Sequence, residues 1–286
     1  MPVSPQLEHD LIAIMRAAAT AEILPRFRNL KSSEIATKSH PGDLVTAADI
    51  LSERMMTAQI PTVMPDALVV GEEAISENPA LRADIGRADP CVILDPVDGT
   101  WNFTKGVALF GMILAVARGQ VPEFGVLYDP VTQDWVVAHA GQPTRFVTAD
   151  GFSQTTQTSS ETDIACMTGF VPFEIMARHH RQTVTAAMDG FAGATALRCS
   201  CHEYRMIARG QAEFLVSHHI PNPWDHAAGV VAVRGAGGVA RFIDGEDYNV
   251  ARRHGYLVTA ANEDIWQLVA DRFRFLQADA KELAGN

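Results

Sequence analysis

Three features are scarce in this chain, and each scarcity excludes a class of protein. Only four cysteines occur in 286 residues, and no two form a Cys-x-x-Cys pair. We therefore expect reduced core thiols, as in a cytoplasmic protein, and neither a disulfide framework nor a zinc knuckle. No apolar run approaches the roughly 18 residues of a membrane helix, and the residues after Met1 lack the basic and apolar regions of a secretory leader.

Positive charge is the third scarcity. Against 34 aspartates and glutamates stand 23 lysines and arginines, and the formal net charge is -11. This balance disfavours nucleic acid and anionic membranes as partners, because both need clustered basic residues. No basic cluster adjoins the acidic motifs described below, which disfavours a substrate with two phosphates. A small phosphorylated substrate stays compatible, because metal ions can locally invert the field.

The apolar pattern predicts a layered α/β (α+β) architecture. Apolar residues make up 47% of the chain, enough for a sizeable core. A helix with apolar positions from Leu11 to Phe27 precedes a capping box, Thr46–Asp49, that opens a helix ending near Ile60. Buried strands at Ala67–Val70 and Cys91–Leu94 are followed by an antiparallel meander at Met112–Val116, Phe124–Tyr128 and Trp135–Ala138.

A Ser/Thr-rich stretch at Gly151–Glu161 suggests a junction between two parts of the chain. We expect an N-terminal α+β subdomain at 1–150, carrying acidic motifs and the meander, and a C-terminal α/β subdomain at 151–286 that completes the same site. The second half predicts strands at Ile164–Met167, Phe214–Val216 and Tyr256–Ala260, and helices at Phe173–Met188, His202–Arg209, Asp225–Arg234 and from Asn262 towards Ala280.

The most informative segment is a turn with two carboxylates, Asp95 and Asp98, directly behind the apolar run Cys91–Leu94. A strand ending there would place both acids at its carboxyl end, where open α/β sheets hold their sites. The two anions repel each other unless a cation joins them. Mg²⁺ is favoured, because it takes carboxylate oxygens and leaves room for a phosphate. Gly99 and Thr100 add N–H groups and a hydroxyl suited to a phosphate ester.

Acidic residues also end other apolar segments. Asp49, the pair Glu72-Glu73 and Asp225 share this context with the Asp95 turn. Each has a structural alternative: Asp49 or Asp225 as a helix cap, and Glu72-Glu73 as a solvated turn. Their joint occurrence favours one common site.

These segments resemble a known family. Three motifs in order, Gly71–Glu73, Leu94–Phe103 and Trp224–Gly229 with Gly237-Gly238, are similar to those of the inositol monophosphatase family. The resemblance runs from about residue 30 to the end. It implies a layered αβαβα sandwich of the inositol monophosphatase and fructose-bisphosphatase type. It also implies Mg²⁺-dependent hydrolysis of a small, inositol monophosphate-like phosphomonoester by metal-activated water, in a lithium-sensitive homodimer.

The resemblance further implies roles for individual residues, with two to three Mg²⁺ ions in the site. One ion would be held by Glu72, Asp95 and the Val97 carbonyl, and a second by Asp95, Asp98 and Asp225. Glu72 and Thr100 would orient the water and help to deprotonate it, while Asp49 holds the Thr100 hydroxyl. Gly99 and Thr100 N–H groups would cradle the phosphate, beside Asp98 and Asp225. Lys38 corresponds to a mobile-loop lysine near a third, weaker ion.

The chain departs from the family where the alcohol half of the substrate would bind. A small-residue step is expected after Arg198, but the sequence there is Cys199-Ser200-Cys201-His202-Glu203. His218 stands where an acid that contacts inositol is expected. We therefore take His202, Glu203 and His218 as candidate selectivity residues; the alternative for each is a surface or packing role.

Other functions stay open. The same chemistry could act on histidinol phosphate, a sugar phosphate or a nucleotide 3′-phosphate. A haloacid-dehalogenase-type phosphatase would place its second aspartate two residues after the first, whereas here the spacing is three. A non-catalytic phosphoester-binding or protein-interaction module is the alternative of another class.

Overall fold

The computed structural model describes residues 2–38, 42–173 and 175–277. In these ranges the α-helices are α1 (Pro5–Ala18), α2 (Ala47–Gln59), α3 (Glu72–Glu77), α4 (Thr100–Thr104), α5 (Arg181–Met188), α6 (Ser200–Ala208), α7 (Pro223–Gly235) and α8 (Glu263–Arg272). The strands are β1 (Ile35–Thr37), β2 (Leu44–Thr46), β3 (Leu68–Gly71), β4 (Cys91–Asp98), β5 (Gly111–Arg118), β6 (Val121–Asp129), β7 (Asp134–His139), β8 (Arg145–Val147), β9 (Ser153–Thr155), β10 (Thr168–Phe170), β11 (Gly193–Thr195), β12 (Phe214–Val216), β13 (Val239–Phe242) and β14 (Leu257–Ala260).

Two sheets organise the molecule. The larger has seven strands in the order β3-β4-β5-β6-β7-β8-β9, and the smaller has five in the order β11-β10-β12-β14-β13. In the larger sheet β3 and β4 are parallel, and every later neighbour is antiparallel. The chain passes from one sheet to the other after β9. The subdomain division near residue 150 stays a prediction.

Helices cover both sheets and form alternating layers. Val92 and Leu94 of β4 face a core shared with α1 and α2, while Cys91 and Ile93 face a second core shared with α6 and α7. On the other side of α6 and α7 lies the five-stranded sheet, whose outer face packs against α5 and α8. This order of layers confirms the predicted αβαβα sandwich. β4 is buried on both faces, which explains its continuous apolar sequence.

Close helix packing fixes the position of α7. A Cβ on Gly125 of β6 would lie 2.6 Å from the Ala228 Cα, and a Cβ on Gly229 would lie 2.1 Å from the Tyr204 ring. Both contacts exclude any larger side chain, so α7 lies directly against the sheet and against α6. This close approach carries the first turn of α7, with Asp225, to the end of β4.

The antiparallel meander and the capping box of α2 are confirmed. The predicted strand at Ile164–Met167 is wrong: a 3₁₀ turn occupies Ile164–Cys166, and β10 begins at Thr168. Because that turn lies at the surface, Cys166 is exposed, which corrects its placement in the core. All four cysteines are unbridged, and Cys91, Cys199 and Cys201 are buried.

The predicted helix at Phe173–Met188 is wrong in its first half. The Val171 N–H donates to the Thr195 carbonyl of β11, and the Phe173 N–H donates to the Val171 carbonyl. The segment is thus held against the sheet edge, and α5 begins only at Arg181. The last helix, α8, ends at Arg272, and the predicted continuation to Ala280 passes outside the described residues. No helix of the described chain has both the length and the apolar character to cross a membrane.

Candidate active site

Three carboxylates from distant parts of the chain meet at the end of β4. Asp95 and Asp98 belong to β4, and Asp225 lies in the first turn of α7. One oxygen from each lies within 4.8 Å of the others. The cleft around them is also lined by Glu72, Val97, Gly99 and Thr100. The fold therefore brings together the acidic motifs that the sequence singled out.

A β-bulge explains how both aspartates of β4 point into one cleft. Residues three apart on a regular strand face opposite sides of the sheet. The pairing with β5 shifts register between Asp95 and Asp98, and such a shift re-aims side chains. β4 continues through this bulge to Asp98, four residues past the predicted end at Leu94.

Each carboxylate of the cluster is oriented by a hydrogen-bond donor. The Val97 N–H donates to Asp95 Oδ1 over 3.1 Å, and the Asn222 amide donates to Asp225 Oδ2 over 3.2 Å. Asp98 Oδ2 accepts from the Cys201 N–H and, over 3.3 Å, from the Cys199 thiol. Cys199 and Cys201, which depart from the family pattern, thus support a carboxylate.

Burial places these acids under electrostatic strain. It raises the pKa of Asp95 and of Asp225 well above the ordinary value of 3.8, and the nearby carboxylate of Glu72 adds to the effect. Burial also raises the pKa of Asp98, although hydrogen bonds from Cys201 and Cys199 limit the value to about 6. A bound cation would remove this repulsion. Because every donor is a hard oxygen, the residues fit Mg²⁺.

Asp49 joins the start of α2 to the cleft. Its Oδ2 accepts from the Thr46 N–H over 2.9 Å and from the Thr46 hydroxyl. Its Oδ1 lies 3.0 Å from the Thr100 hydroxyl oxygen, which is also 2.9 Å from the Val97 carbonyl. Burial raises the pKa of Asp49 to about 6, against the effect of these hydrogen bonds. Asp49 therefore caps its helix and also orients Thr100.

Glu72 lines the cleft but bonds to a lysine. Lys38 Nζ lies 2.8 Å from Glu72 Oε1 and 2.8 Å from Glu73 Oε1. Burial opposes the charge on Lys38, yet the two glutamates raise the pKa of its ammonium above the ordinary value. Burial and the neighbouring Glu72 raise the pKa of Glu73 to about 8. Lys38 thus reaches Glu72 and Glu73 from a position directly after β1.

Glu53 is a supporting residue that sequence reasoning missed. Its two carboxylate oxygens accept from the N–H groups of Glu73 and Ala74, over 2.9 and 2.8 Å, at the start of α3. A Cβ on Gly71 would lie 2.1 Å from this carboxylate. The glycine before Glu72 therefore makes room for Glu53, and Glu53 fixes the helix that presents Glu72. The sequence offered one signal for this role: Glu53 is an acidic residue at a position on the buried face of α2.

The three candidate selectivity residues have separate positions. Glu203 lines the cleft, where its carboxylate accepts from the Leu197 N–H over 2.8 Å. His218 lines a neighbouring cavity. His202 Nε2 instead lies 3.1 Å from the Phe110 carbonyl oxygen, and His202 is not part of the lining of either space. The structure therefore does not bring His202 to the cleft.

Arginines lie beside the site although no basic cluster adjoins the motifs in the sequence. Arg198 lines the cleft, with its guanidinium carbon 4.2 Å from the centre of the Trp101 ring. Its φ of 56° is in the left-handed region, which a residue with a Cβ adopts at a cost. Arg178 and Arg181 line the neighbouring cavity. The absence of a basic cluster beside the motifs in the sequence therefore does not mean that the cleft and its neighbour lack basic residues.

Buried oxygen ligands beside a hydroxyl and backbone N–H groups define the class of metal-assisted phosphoryl-transfer sites. The sequence model of the inositol monophosphatase family matches residues 6–277, and the chain belongs to that family. It is therefore an enzyme of the phosphomonoester hydrolase class, in a metal-dependent family.

Relatives and solved structures agree with this assignment. The chain is 28% identical over 209 residues to the fructose-1,6-bisphosphatase/inositol-1-monophosphatase of Thermotoga maritima, covering 72% of this chain and 74% of that protein. It is 26% identical to the inositol-1-monophosphatase of Bacillus subtilis, with 85% and 88% covered. The fold matches the IMPase of Thermotoga maritima with a TM-score of 0.76, at 21% identity and 95% and 99% coverage. An inositol monophosphatase from Zymomonas mobilis matches with a TM-score of 0.73, at 21% identity and 94% and 96% coverage.

Proposed function

We propose that this enzyme is a Mg²⁺-dependent phosphatase that hydrolyses a small phosphomonoester by direct attack of water. The observation that carries the proposal is the meeting of Asp95, Asp98 and Asp225 within 4.8 Å. Two of these carboxylates are buried and Asp225 is half-buried; when ionised they repel one another unless cations join them, and oxygen ligands of this kind suit Mg²⁺.

Two groups of ligands would hold the metal ions. Glu72, Asp95 and the Val97 carbonyl would hold one ion, and Asp95, Asp98 and Asp225 a second. Lys38, which pairs with Glu72 over 2.8 Å, would adjoin a third, weaker ion. When bound, Mg²⁺ supplies Lewis-acid stabilisation of the phosphate and the leaving oxygen.

The protein's own groups then orient the attacking water. Thr100, held by Asp49 over 3.0 Å, offers its hydroxyl oxygen to the water, and Glu72 receives the proton. The N–H groups of Gly99 and Thr100 bond to the phosphate oxygens. Gly99 has a φ of 90°, and a Cβ there would lie 3.0 Å from the Leu109 carbonyl oxygen. This close turn favours glycine.

The alcohol half of the substrate is proposed to be sugar-like. The names of the relatives point to inositol monophosphate or fructose 1,6-bisphosphate as their substrates. Of the three candidate selectivity residues, Glu203 lines the cleft and His218 lines the neighbouring cavity. We propose that these two contribute to selectivity. Histidinol phosphate and nucleotide 3′-phosphates are the alternative esters.

Phosphate release tests the proposal. The purified chain is assayed on a panel of phosphomonoesters that includes myo-inositol 1-phosphate, with Mg²⁺ and with EDTA. We expect Mg²⁺-dependent release, lost in Asp95→Asn and retained in Asp66→Asn, whose carboxylate is exposed. An Asp95→Asn variant that keeps more than a few per cent of the activity would contradict the ligand assignment. Mg²⁺ binding with no turnover of any ester would favour the non-catalytic module, and an aspartyl-phosphate trapped on Asp95 would favour the dehalogenase-type mechanism.

We further propose a cytoplasmic homodimer that is inhibited by lithium. Support comes from the family membership and from four unbridged cysteines, which suit a reducing compartment. Light scattering at micromolar concentration tests the dimer, and phosphate release at increasing LiCl, with KCl as the control, tests the inhibition.

A further inference from the structure

The cleft that holds the carboxylates is small, and a larger cavity opens beside it. The cleft has a volume of about 250 Å³ and its neighbour about 910 Å³. Both are lined by Glu72 and Ile175, so they adjoin. Pockets for whole small molecules span roughly 300–1,000 Å³. The cleft therefore suits the phosphate, and the alcohol half of an ester extends into the neighbouring cavity.

The walls of this cavity include two exposed isoleucines. Ile175 is 44% exposed and Ile220 is 41% exposed, and both line the cavity. Within the described part of the chain, the other exposed large apolar side chains line neither the cleft nor the cavity: Val107, Val121, Val131 and Phe152. Single exposed apolar residues are normal on a protein surface. Two at one cavity that adjoins the cleft form a surface that a ligand in the site can cover.

Buried apolar residues continue this surface inwards. Three of them line the same cavity: Ile75, Met176 and Trp224. Ile175 precedes α5 and Ile220 precedes α7, so the two exposed isoleucines come from separate segments. The ring of His218 hydrogen-bonds to the backbone of Ile175. This bond joins the two segments, so that both isoleucines belong to one wall.

The cavity is a poor match for a bare polyol. His218 stands where the family resemblance leads us to expect an acid, which would accept hydrogen bonds from the hydroxyls of a polyol. Burial and the adjacent His219 lower the pKa of His218 to about 4, so His218 is uncharged at neutral pH. A hydroxyl buried against isoleucine without a partner costs free energy, whereas an apolar group placed there is stabilised.

Charged side chains line the cavity as well. Lys38 pairs with Glu72 over 2.8 Å, and the Arg181 guanidinium carbon lies 5.5 Å from the centre of the Phe173 ring. Long basic side chains cover apolar surface with their methylene stems while their charged ends stay in water. An uncharged apolar group therefore needs no ion pair with these residues.

We propose that the alcohol half of the substrate carries, beyond its sugar-like part, an uncharged apolar group that Ile175 and Ile220 cover in this cavity. Contact with both isoleucines removes apolar surface of the ligand and of the protein from water together. This inference rests on the proposed phosphatase function and narrows its substrate class. A polyol with a hydroxyl on every carbon gains little from the same wall.

Three esters that share one sugar and one phosphate test the apolar preference. They are the 6-phosphates of methyl, phenyl and 4-carboxyphenyl β-D-glucopyranoside. The measured quantity is kcat/KM in Mg²⁺ buffer, divided by the value for the methyl ester. We expect a ratio of at least ~10 for the phenyl ester, and no further gain from the added carboxylate. A ratio near 1 for the phenyl ester overturns the inference, and a gain confined to the 4-carboxyphenyl ester does so too, because the cavity would then recognise charge.

Variants assign the phenyl ratio to the two isoleucines. In the Ile175→Gln/Ile220→Gln double variant we expect the ratio to fall to about 1, and in the Ile175→Leu/Ile220→Leu variant we expect most of it to remain. Val121→Gln is the matched control, because Val121 is an exposed apolar residue that lines neither space. The single Ile220→Gln change serves if the double variant does not fold. A ratio that the glutamine variants leave unchanged overturns the inference.

Thermal shifts distinguish failure of this inference from failure of the proposed function. A ligand that binds the folded state raises Tm whether or not it is hydrolysed. In Mg²⁺ buffer we expect the phenyl ester to raise Tm more than the methyl ester, and the difference to vanish in the double glutamine variant. Equal turnover of the methyl and phenyl esters would overturn the inference alone. No turnover of any ester would overturn the proposed function, and the Tm difference would then decide the inference by itself.

Discussion

Asp49 shows how one side chain can serve the backbone and the site together. One oxygen closes the capping box with Thr46, and the other bonds to Thr100 in the cleft. From the sequence, a helix cap and a support for the catalytic site were alternative roles for Asp49. In the structure Asp49 both caps the helix and contacts Thr100. The Thr100 contact could not be predicted from local spacing, because it joins residues 51 positions apart.

Arg198 lines the cleft and has a backbone conformation that favours glycine. A left-handed φ of 56° costs a side-chain-bearing residue about 1 kcal/mol or more. We predict that Arg198→Gly is more stable than Arg198→Ala by about 1 kcal/mol, because both lose the contact with Trp101 but only glycine relieves the strain. Urea unfolding measures the difference. Equal stability of the two variants would show that the backbone there is not strained.

At the scale of elements, β4 and α7 determine where the acids meet. The apolar run Cys91–Leu94 was sufficient to predict a buried strand, and the acids behind it were sufficient to predict a site. The bulge that aims Asp95 and Asp98 into one cleft arises from the pairing of β4 with β5. The sequence of β4 alone does not reveal that pairing. Arg178 and Arg181, which line the neighbouring cavity, were also missed. They lie just before α5 and at its start, far from the acidic motifs in the sequence.

Helix α1 is joined to the large sheet by a half-buried carboxylate. Glu8 lies 2.6 Å from His139 Nε2 and 2.6 Å from Arg145 Nη2. Burial opposes its charge, but hydrogen bonds from His139 and Arg145 outweigh burial and lower the pKa of Glu8 below 4.5. The resulting stabilisation is therefore complete above pH 4.5 and is lost as the pH falls through the folded-state pKa.

We predict that Glu8→Gln lowers the free energy of unfolding by about 1 kcal/mol at pH 7, and that the deficit narrows as the pH is lowered towards 4 and below. Chemical denaturation at several pH values measures it. Glu77→Gln, at an exposed glutamate of α3, is the control. A deficit that does not change with pH would assign the role of Glu8 to packing instead of charge.

For the whole molecule, the buried carboxylates make stability depend on pH, and we expect bound metal to change that dependence. Burial raises the pKa of Asp98 to about 6 and raises those of Asp95 and Asp225 well above 3.8. An acid with a raised folded-state pKa stabilises the fold below its unfolded pKa, and this contribution is lost as the pH rises through the folded value.

We predict that Tm in EDTA falls between pH 5 and pH 8, and that Mg²⁺ offsets the fall because it binds the ionised cluster. The increment in Tm from Mg²⁺ should therefore grow with pH. In Asp95→Asn the fall in EDTA should be smaller, because one buried charge has been removed. A Mg²⁺ increment that is the same at pH 5 and pH 8 would contradict this prediction.

The most direct test of the account is calorimetric titration of the full chain with Mg²⁺ at pH 7.5, since every functional proposal depends on Asp95, Asp98 and Asp225 holding metal together. We expect saturable binding to the unmodified protein and to Asp66→Asn, and loss of that binding in Asp95→Asn. Unchanged Mg²⁺ binding by Asp95→Asn would contradict it, because the metal would then lie outside the cluster that the fold assembles at the end of β4.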